Sequence, residues 1–241
     1  MRAVRLLEHA LTKEPKTVLD VGVGKGKHAY SFLAQGCQVT GVDVQPPPLE
    51  HPLYDHIGEP FEVAKIDRKY DLIWCSHTLE HVPNVQMFLL KMASLLNDGG
   101  WLYIAVPTDN QKRFHVGHLT LWNPMILIYN LICAGYCCRD ALWYTEYCTI
   151  GLCIQKKEEI DLSWRTGMPD ELPGLNQFMP GYVRNENGSW LANNWPEKTE
   201  PMVIDPPCVT IGHVKTNLPP EVQLAFGPNP DLRKPPGGAN L

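Results

Sequence analysis

At 241 residues, 44% of them hydrophobic and 20% charged, the chain has the size and balance of a globular α/β domain with an appendage. Its formal charge of -5 excludes a surface built chiefly to neutralise phosphates, so no nucleic-acid partner is expected. No apolar signal core follows Arg2 and Arg5 and no run reaches the length of a membrane span, which predicts a cytoplasmic protein without a membrane span.

Residues 1–12 carry apolar positions compatible with a short amphipathic helix. After Pro15, residues 17–21 form an apolar, β-branched run that predicts a strand. A glycine-rich loop follows, then a helix over 27–35 ended by Gly36 and a second strand over 37–44, closed by three prolines. A short strand is expected near 54–57 and a buried one over 70–75. Residues 84–96 place Val85, Phe88, Leu89, Met92 and Leu95 near a 3.6-residue period, a helix. Residues 97–100 read as a turn and 101–106 as a strand stopped by Pro107. Asn123 and Pro124 start a helix running to 134, and two more strands are expected at 138–144 and 149–156.

Strands alternating with helices predict a doubly wound, mainly parallel sheet over residues 1–156. Its ligands belong at the carboxyl ends of the strands, in the loops after Val21, Val42, Cys75 and Val106. From 157 to 241 the character changes: thirteen of the 22 prolines and eight glycines lie there without periodicity. Trp164, Phe178, Tyr182, Trp190, Trp195 and Phe226 give this segment anchors, so it reads as an irregular arm packed in part on the domain. A turn is expected around Asn187 and Gly188, and a frayed end from Gly227. The eight cysteines form no C-x-x-C pair and read as buried, reduced thiols. Asn187-Gly188-Ser189 fits a glycosylation acceptor pattern only by coincidence, given the missing secretion signal.

The loop Gly22-Val23-Gly24-Lys25-Gly26 leaves a strand and enters a helix, and nineteen residues after Gly24 comes Asp43. Glycines there let the backbone turn tightly and approach a ligand. An acid at the end of the second strand can accept hydrogen bonds from two ribose hydroxyls. Together they predict a nucleoside-type cofactor. A dinucleotide loop needs a third glycine where Lys27 stands, which argues against an NAD(P)-dependent oxidoreductase.

Four motifs, VLDVGVGKG (18–26), VTGVD (39–43), YDLIWCSHTLEHV (70–82) and LLNDGGWLYIAVP (95–107), resemble class I S-adenosylmethionine-dependent methyltransferases, in the group acting on small molecules, lipids and sugars. The resemblance covers about residues 15–156. It implies a Rossmann-like, doubly wound, seven-stranded, mostly parallel sheet with a reversed last strand. It also implies S-adenosylmethionine as cofactor, with Gly22, Gly24 and Gly26 along its methionine part and Asp20 nearby. Asp43 would bind the ribose, Val44 would flank the adenine and Glu59 would meet its amino group; Ser76 and His77 would line the reactive side. The methyl acceptor would be a small molecule or a glycan- or lipid-type group, attacked at oxygen or nitrogen.

In-line methyl transfer needs alignment and, where required, removal of a proton. His77, His81 and His118 are the candidate bases, with His115 close by in sequence. Their spacing with Glu80 matches no known metal-site class, so no metal is expected. Asp205-Pro206-Pro207-Cys208 resembles the D-P-P-[YF] loop of DNA amino-methyltransferases, but it lacks the aromatic residue and sits in the arm, so it reads as a proline turn. A non-catalytic S-adenosylmethionine-binding module working through the arm is the remaining alternative.

Overall fold

The computed structural model describes residues 3–108, 115–158, 160, 178–180, 183–185, 188–190 and 195–196. Its main element is a seven-stranded sheet, flanked by α1 (Val4–Leu11), α2 (Lys27–Ala34), α3 (Val85–Leu95) and α4 (Pro124–Cys133). The strands are β1 (Thr17–Val21), β2 (Gln38–Val42), β3 (Tyr54–Ile57), β4 (Tyr70–Ser76), β5 (Leu96–Pro107), β6 (Leu142–Glu146) and β7 (Thr149–Gln155). They lie in the order β3-β2-β1-β4-β5-β7-β6. β7 alone runs against its neighbours, antiparallel to both β5 and β6, so the last strand is the reversed one, as expected.

Side chains alternate across this sheet and build two cores. Val18, Leu72, Trp74 and Tyr103 face α1 and α2, where they meet Leu6, Phe32 and Leu33. Leu19, Val21, Ile73, Cys75 and Ile104 face α3 and α4, where they meet Phe88, Leu89, Leu127 and Leu131. Strands buried on both faces explain their continuous apolar runs. The helix starts are set locally: Asn84 Oδ1 accepts from the Met87 N–H at 3.2 Å, and Asn123 Oδ1 from the Ile126 N–H at 2.9 Å.

Four expectations change. Residues 97–100 are not a separate turn but a bulge inside β5: Tyr70 pairs Leu96, while Leu72 pairs Trp101. Asn97 in this bulge donates to Asp71 at 2.9 Å, which holds the extra residues in place. β6 begins at Leu142 and not at Cys138, because the Ala141 N–H bonds back to the Cys138 carbonyl in a turn. β2 ends at Val42, leaving Asp43 and Val44 to the loop beyond it. Cys148, expected inside, is exposed on the β6–β7 hairpin.

Phe178 and Met179 are buried in the α3–α4 core. The Trp195 ring lies 5.0 Å from His9 and 5.0 Å from Tyr144 on the other face. Val183–Asn185 and Gly188–Trp190 pair as the short antiparallel strands β8 and β9; Gly188 belongs to β9, and Asn187, the other residue of the expected turn, lies outside the described residues. Residues 203–208, the aromatic residues Trp164, Tyr182 and Phe226, and the end from Gly227 lie outside the described residues.

Candidate active site

Strand order reverses between β1 and β4, and the loops leaving their carboxyl ends converge there. The loop after β1 is tied to β2: the N–H groups of Gly22 and Val23 both donate to the Val42 carbonyl, at 2.8 and 3.3 Å. Gly22 and Gly24 hold φ of +76° and +53°, open to glycine at little cost. At Gly22 a Cβ would also come within 2.0 Å of Thr78 Oγ1, so the two loops touch only because no side chain intervenes. Gly26 ends the loop as the residue before α2, packed against Pro47 and Leu49.

Asp43 reaches back across this loop. Its Oδ2 accepts the Gly24 N–H at 2.9 Å, and the Gln45 N–H approaches Oδ1 at 3.4 Å. The carboxylate is thus aimed and half-exposed at the loop rim, beside Val44, which is 60% exposed. Asp20 lies beneath the loop, buried, and takes a hydrogen bond from the Ala29 backbone. Burial pushes its pKa up to about 7, and the neighbouring Asp43 charge adds to the rise. Its Oδ2 has no hydrogen-bond partner among the described residues. Glu59 stands apart, exposed two residues beyond β3 and within electrostatic range of Lys91.

The second half of the site follows β4. His77 leaves the strand at φ +55°, a left-handed conformation uncommon for a side chain, held by its N–H bond to the Ala105 carbonyl at 2.8 Å. Thr78 Oγ1 donates to the Val21 carbonyl at 3.2 Å and joins this loop to the first. A 3-10 turn over Leu79–His81 then buries Glu80, whose side chain is 2% exposed. Its Oε1 lies 3.4 Å from His77 Nδ1 and 3.9 Å from His81 Nε2. Glu80 Oε2, Ser76 Oγ and His77 Nε2 are buried and lack hydrogen-bond partners among the described residues.

The third element is the segment after β5. Leu119 and Thr120 both donate backbone N–H bonds to the Glu80 carbonyl, at 2.7 and 3.3 Å. The Gly117 carbonyl lies 2.8 Å from His81 Nδ1. This stitching sets the His118 ring 5.0 Å from His81, edge to face, with His115 stacked on it at 5.1 Å. Burial lowers the His118 pKa and the neighbouring histidines lower it further, against the opposing pull of Glu80.

The structure therefore brings His77, His81 and His118 around one buried acid, Glu80, which the sequence offered as part of a motif and as a metal ligand set aside on spacing. It brings Gly22, Gly24, Asp43, Ser76 and His77 to one mouth, with Asp20 below; Glu59 is not brought into this cluster. The signal for Glu80 was a charged residue between apolar neighbours, Leu79 and Val82, where burial demands partners.

A family model described as a methyltransferase domain matches residues 2–141. Curated relatives include the ubiquinone biosynthesis O-methyltransferases of Klebsiella pneumoniae and Nitrosomonas europaea, 36% identical over 110 residues and 33% over 112. The matches take in 41% of this chain and 46% and 47% of the relatives, so the chain aligns with less than half of their length. Among solved structures, the 1,6-didemethyltoxoflavin N1-methyltransferase of Burkholderia thailandensis, with bound 1,6-didemethyltoxoflavin and S-adenosylhomocysteine, aligns with a TM-score of 0.55 at 22% identity. That alignment covers 64% of this chain and 78% of the other. The N-methyltransferase NodS of Bradyrhizobium japonicum, in complex with S-adenosylhomocysteine, aligns at 0.54 and 18%, covering 65% and 86%. These likenesses establish the fold.

Proposed function

The chain belongs to the methyltransferase-domain family, and from that premise we propose that its residues 1–156 move a methyl group from S-adenosylmethionine to an oxygen or nitrogen of a small-molecule or sugar- or lipid-linked acceptor. The observation that carries this reading is the Gly24–Asp43 clasp, which aims a carboxylate over a glycine loop that a Cβ at Gly22 would block. The residues fit the cofactor. Gly24 leaves room along its amino-acid part, Gly22 and Gly26 let the loop pack against Thr78, Pro47 and Leu49, and Asp43 offers Oδ1 to ribose hydroxyls while Gly24 holds Oδ2. Val44 offers an apolar wall to the adenine, and the unpartnered Asp20 and Ser76 polar atoms point to a ligand that supplies what the protein lacks; Glu59, outside the cluster, takes no part.

S-adenosylmethionine, when bound, supplies an electrophilic methyl group on a sulfonium. The chain's own part is to orient the acceptor, keep water out and take a proton where the acceptor has one to lose. His77, His81 and His118 are the residues for that last step. Glu80 acts through them: its buried carboxylate lies 3.4 Å from His77 and 3.9 Å from His81 and orients the two rings. The O-methyltransferases among the relatives and the N-methyltransferases among the structural neighbours both accord with a small acceptor. No helix among the described residues is long and apolar enough to cross a membrane, in keeping with an acceptor met from the aqueous side.

Titration of the full chain with S-adenosylhomocysteine and with NADH tests the cofactor; binding of NADH alone would overturn the reading. Asp43→Ala should weaken S-adenosylhomocysteine binding about 10- to 100-fold, the worth of one or two charge-assisted hydrogen bonds, while the melting temperature without ligand changes little. Unchanged affinity would remove the ribose role. A panel of hydroxyl and amine acceptors with methyl-labelled cofactor then identifies the substrate.

A further inference from the structure

We propose that Glu80, His81 and His118 form a binding site for one divalent cation of the zinc class at the mouth of the active site. Their nearest carboxylate and imidazole atoms all lie within 4.8 Å of one another. The proton arrangement explains why a cation belongs there. The Gly117 oxygen 2.8 Å from His81 Nδ1 is a carbonyl and can only accept, so Nδ1 carries the hydrogen. Nε2, the other ring nitrogen, lies 3.9 Å from the Glu80 carboxylate, which also can only accept when ionised. A positive charge belongs between them, and a His118 nitrogen completing a three-ligand group within 4.8 Å suits a cation better than a proton on Nε2, which needs only two groups.

The supporting contacts are those of a ligand set. A metal-bound histidine usually donates its other ring N–H to a backbone carbonyl, as His81 does to Gly117. Glu80 is buried, with Oε2 unpartnered among the described residues, so it is poorly placed to satisfy itself with solvent. His118, 38 positions after Glu80, is delivered by the backbone bonds that Leu119 and Thr120 make to Glu80 itself. Bonds of about 2.0–2.2 Å put tetrahedral ligand atoms about 3.3–3.6 Å apart, so a set whose atoms lie within 4.8 Å of one another closes by side-chain movements of about 1 Å. Two imidazoles and one carboxylate suit zinc and its neighbours, and three protein ligands leave a coordination position open. The His81 side chain is 48% exposed, so the site is reachable from solvent.

This site rests on the same loops as the methyl-transfer reading and, when filled, leaves His77 as the base in place of His81 and His118; it is tested with neither cofactor nor acceptor, so either can fail alone. Tag-free full chain, stripped with a chelator, is titrated with Zn2+ by calorimetry and with Co2+ by absorption. Expected are one equivalent bound, a Co2+ spectrum without thiolate charge-transfer bands, and binding weakened more than about tenfold by His81→Ala and by His118→Ala. Glu80→Gln should do the same; because Glu80 is buried and that variant can fail to fold, the partly exposed His118 keeps the test decisive. Absence of binding, binding unmoved by His118→Ala, or thiolate bands would each overturn the site. A proton shared between Glu80 and His81 would then fill the gap.

Discussion

Asp71, near the amino end of β4, accepts hydrogen bonds from the backbone N–H groups of Lys16 and Thr17, from the Thr17 hydroxyl and from the Asn97 amide, at 2.9–3.2 Å. Asp20 and Glu80, toward the carboxyl end of the same sheet, each keep one buried oxygen without a partner among the described residues. Burial alone would raise the Asp71 pKa, yet its hydrogen bonds outweigh burial and hold it below the ordinary carboxylate value. At Asp20 burial wins and the pKa climbs to about 7. One end of the sheet spends its polar groups on locking β1, β4 and the β5 bulge together. The other leaves them unanswered, as a surface does when a ligand completes it.

The largest effect should come from breaking the saturated end. Asp71→Ala removes four hydrogen bonds to a charged group and should cost about 3–4 kcal/mol of stability. Chemical denaturation should show it, while the surviving folded protein still binds S-adenosylhomocysteine; loss of binding with intact stability would reverse the contrast. Gly22→Ala comes next, at about 2–3 kcal/mol, because φ is +76° and the new Cβ must displace Thr78. Its mark should be a cofactor affinity reduced more than the melting temperature.

Asp20→Asn should go the other way. The folded pKa of about 7 exceeds the ordinary 3.8, so the native state binds more protons and stability falls as pH rises between those values. Removing the charge should stabilise the ligand-free protein by about 1–3 kcal/mol at pH 8 and by little at pH 4. Equal Tm differences at the two pH values would refute it. The smallest effect concerns His9, on the α1 face, where burial first and Lys13 second lower the pKa to about 4 from 6.5. A neutral native ring stabilises above pH 6.5, and that contribution is lost as pH falls toward 4, on the order of 1 kcal/mol after solvent screening. The His9 ring resonances, followed by NMR, should stay those of neutral imidazole at pH 5.5.

Much of the first half of the site could be read directly from the chain. Gly22, Gly24, Gly26 and Asp43 belong to one strand–loop–helix–strand unit, so turn chemistry and strand ends locate them without long-range information. The β5 bulge could not be read that way: Asn97, Asp98, Gly99 and Gly100 carry every local sign of a turn, and only their pairing with β4, through Asp71, makes them part of a strand. Glu80 and His118 were harder still. Apolar neighbours mark Glu80 as a residue in need of partners but do not name them, and His118 is brought to it by backbone bonds from Leu119 and Thr120 across nearly forty residues.

Local periodicity and turn preference determined the alternating elements, the glycine loop and the acid that answers it, because each depends on residues close in sequence. Tertiary structure alone decided that Asp43 clasps Gly24, that Thr78 fits against Gly22, and that His118 meets Glu80 and His81. Those contacts join segments 19 to 56 residues apart, and only the stacking of β2, β1, β4 and β5 in the sheet brings their carboxyl ends to one place.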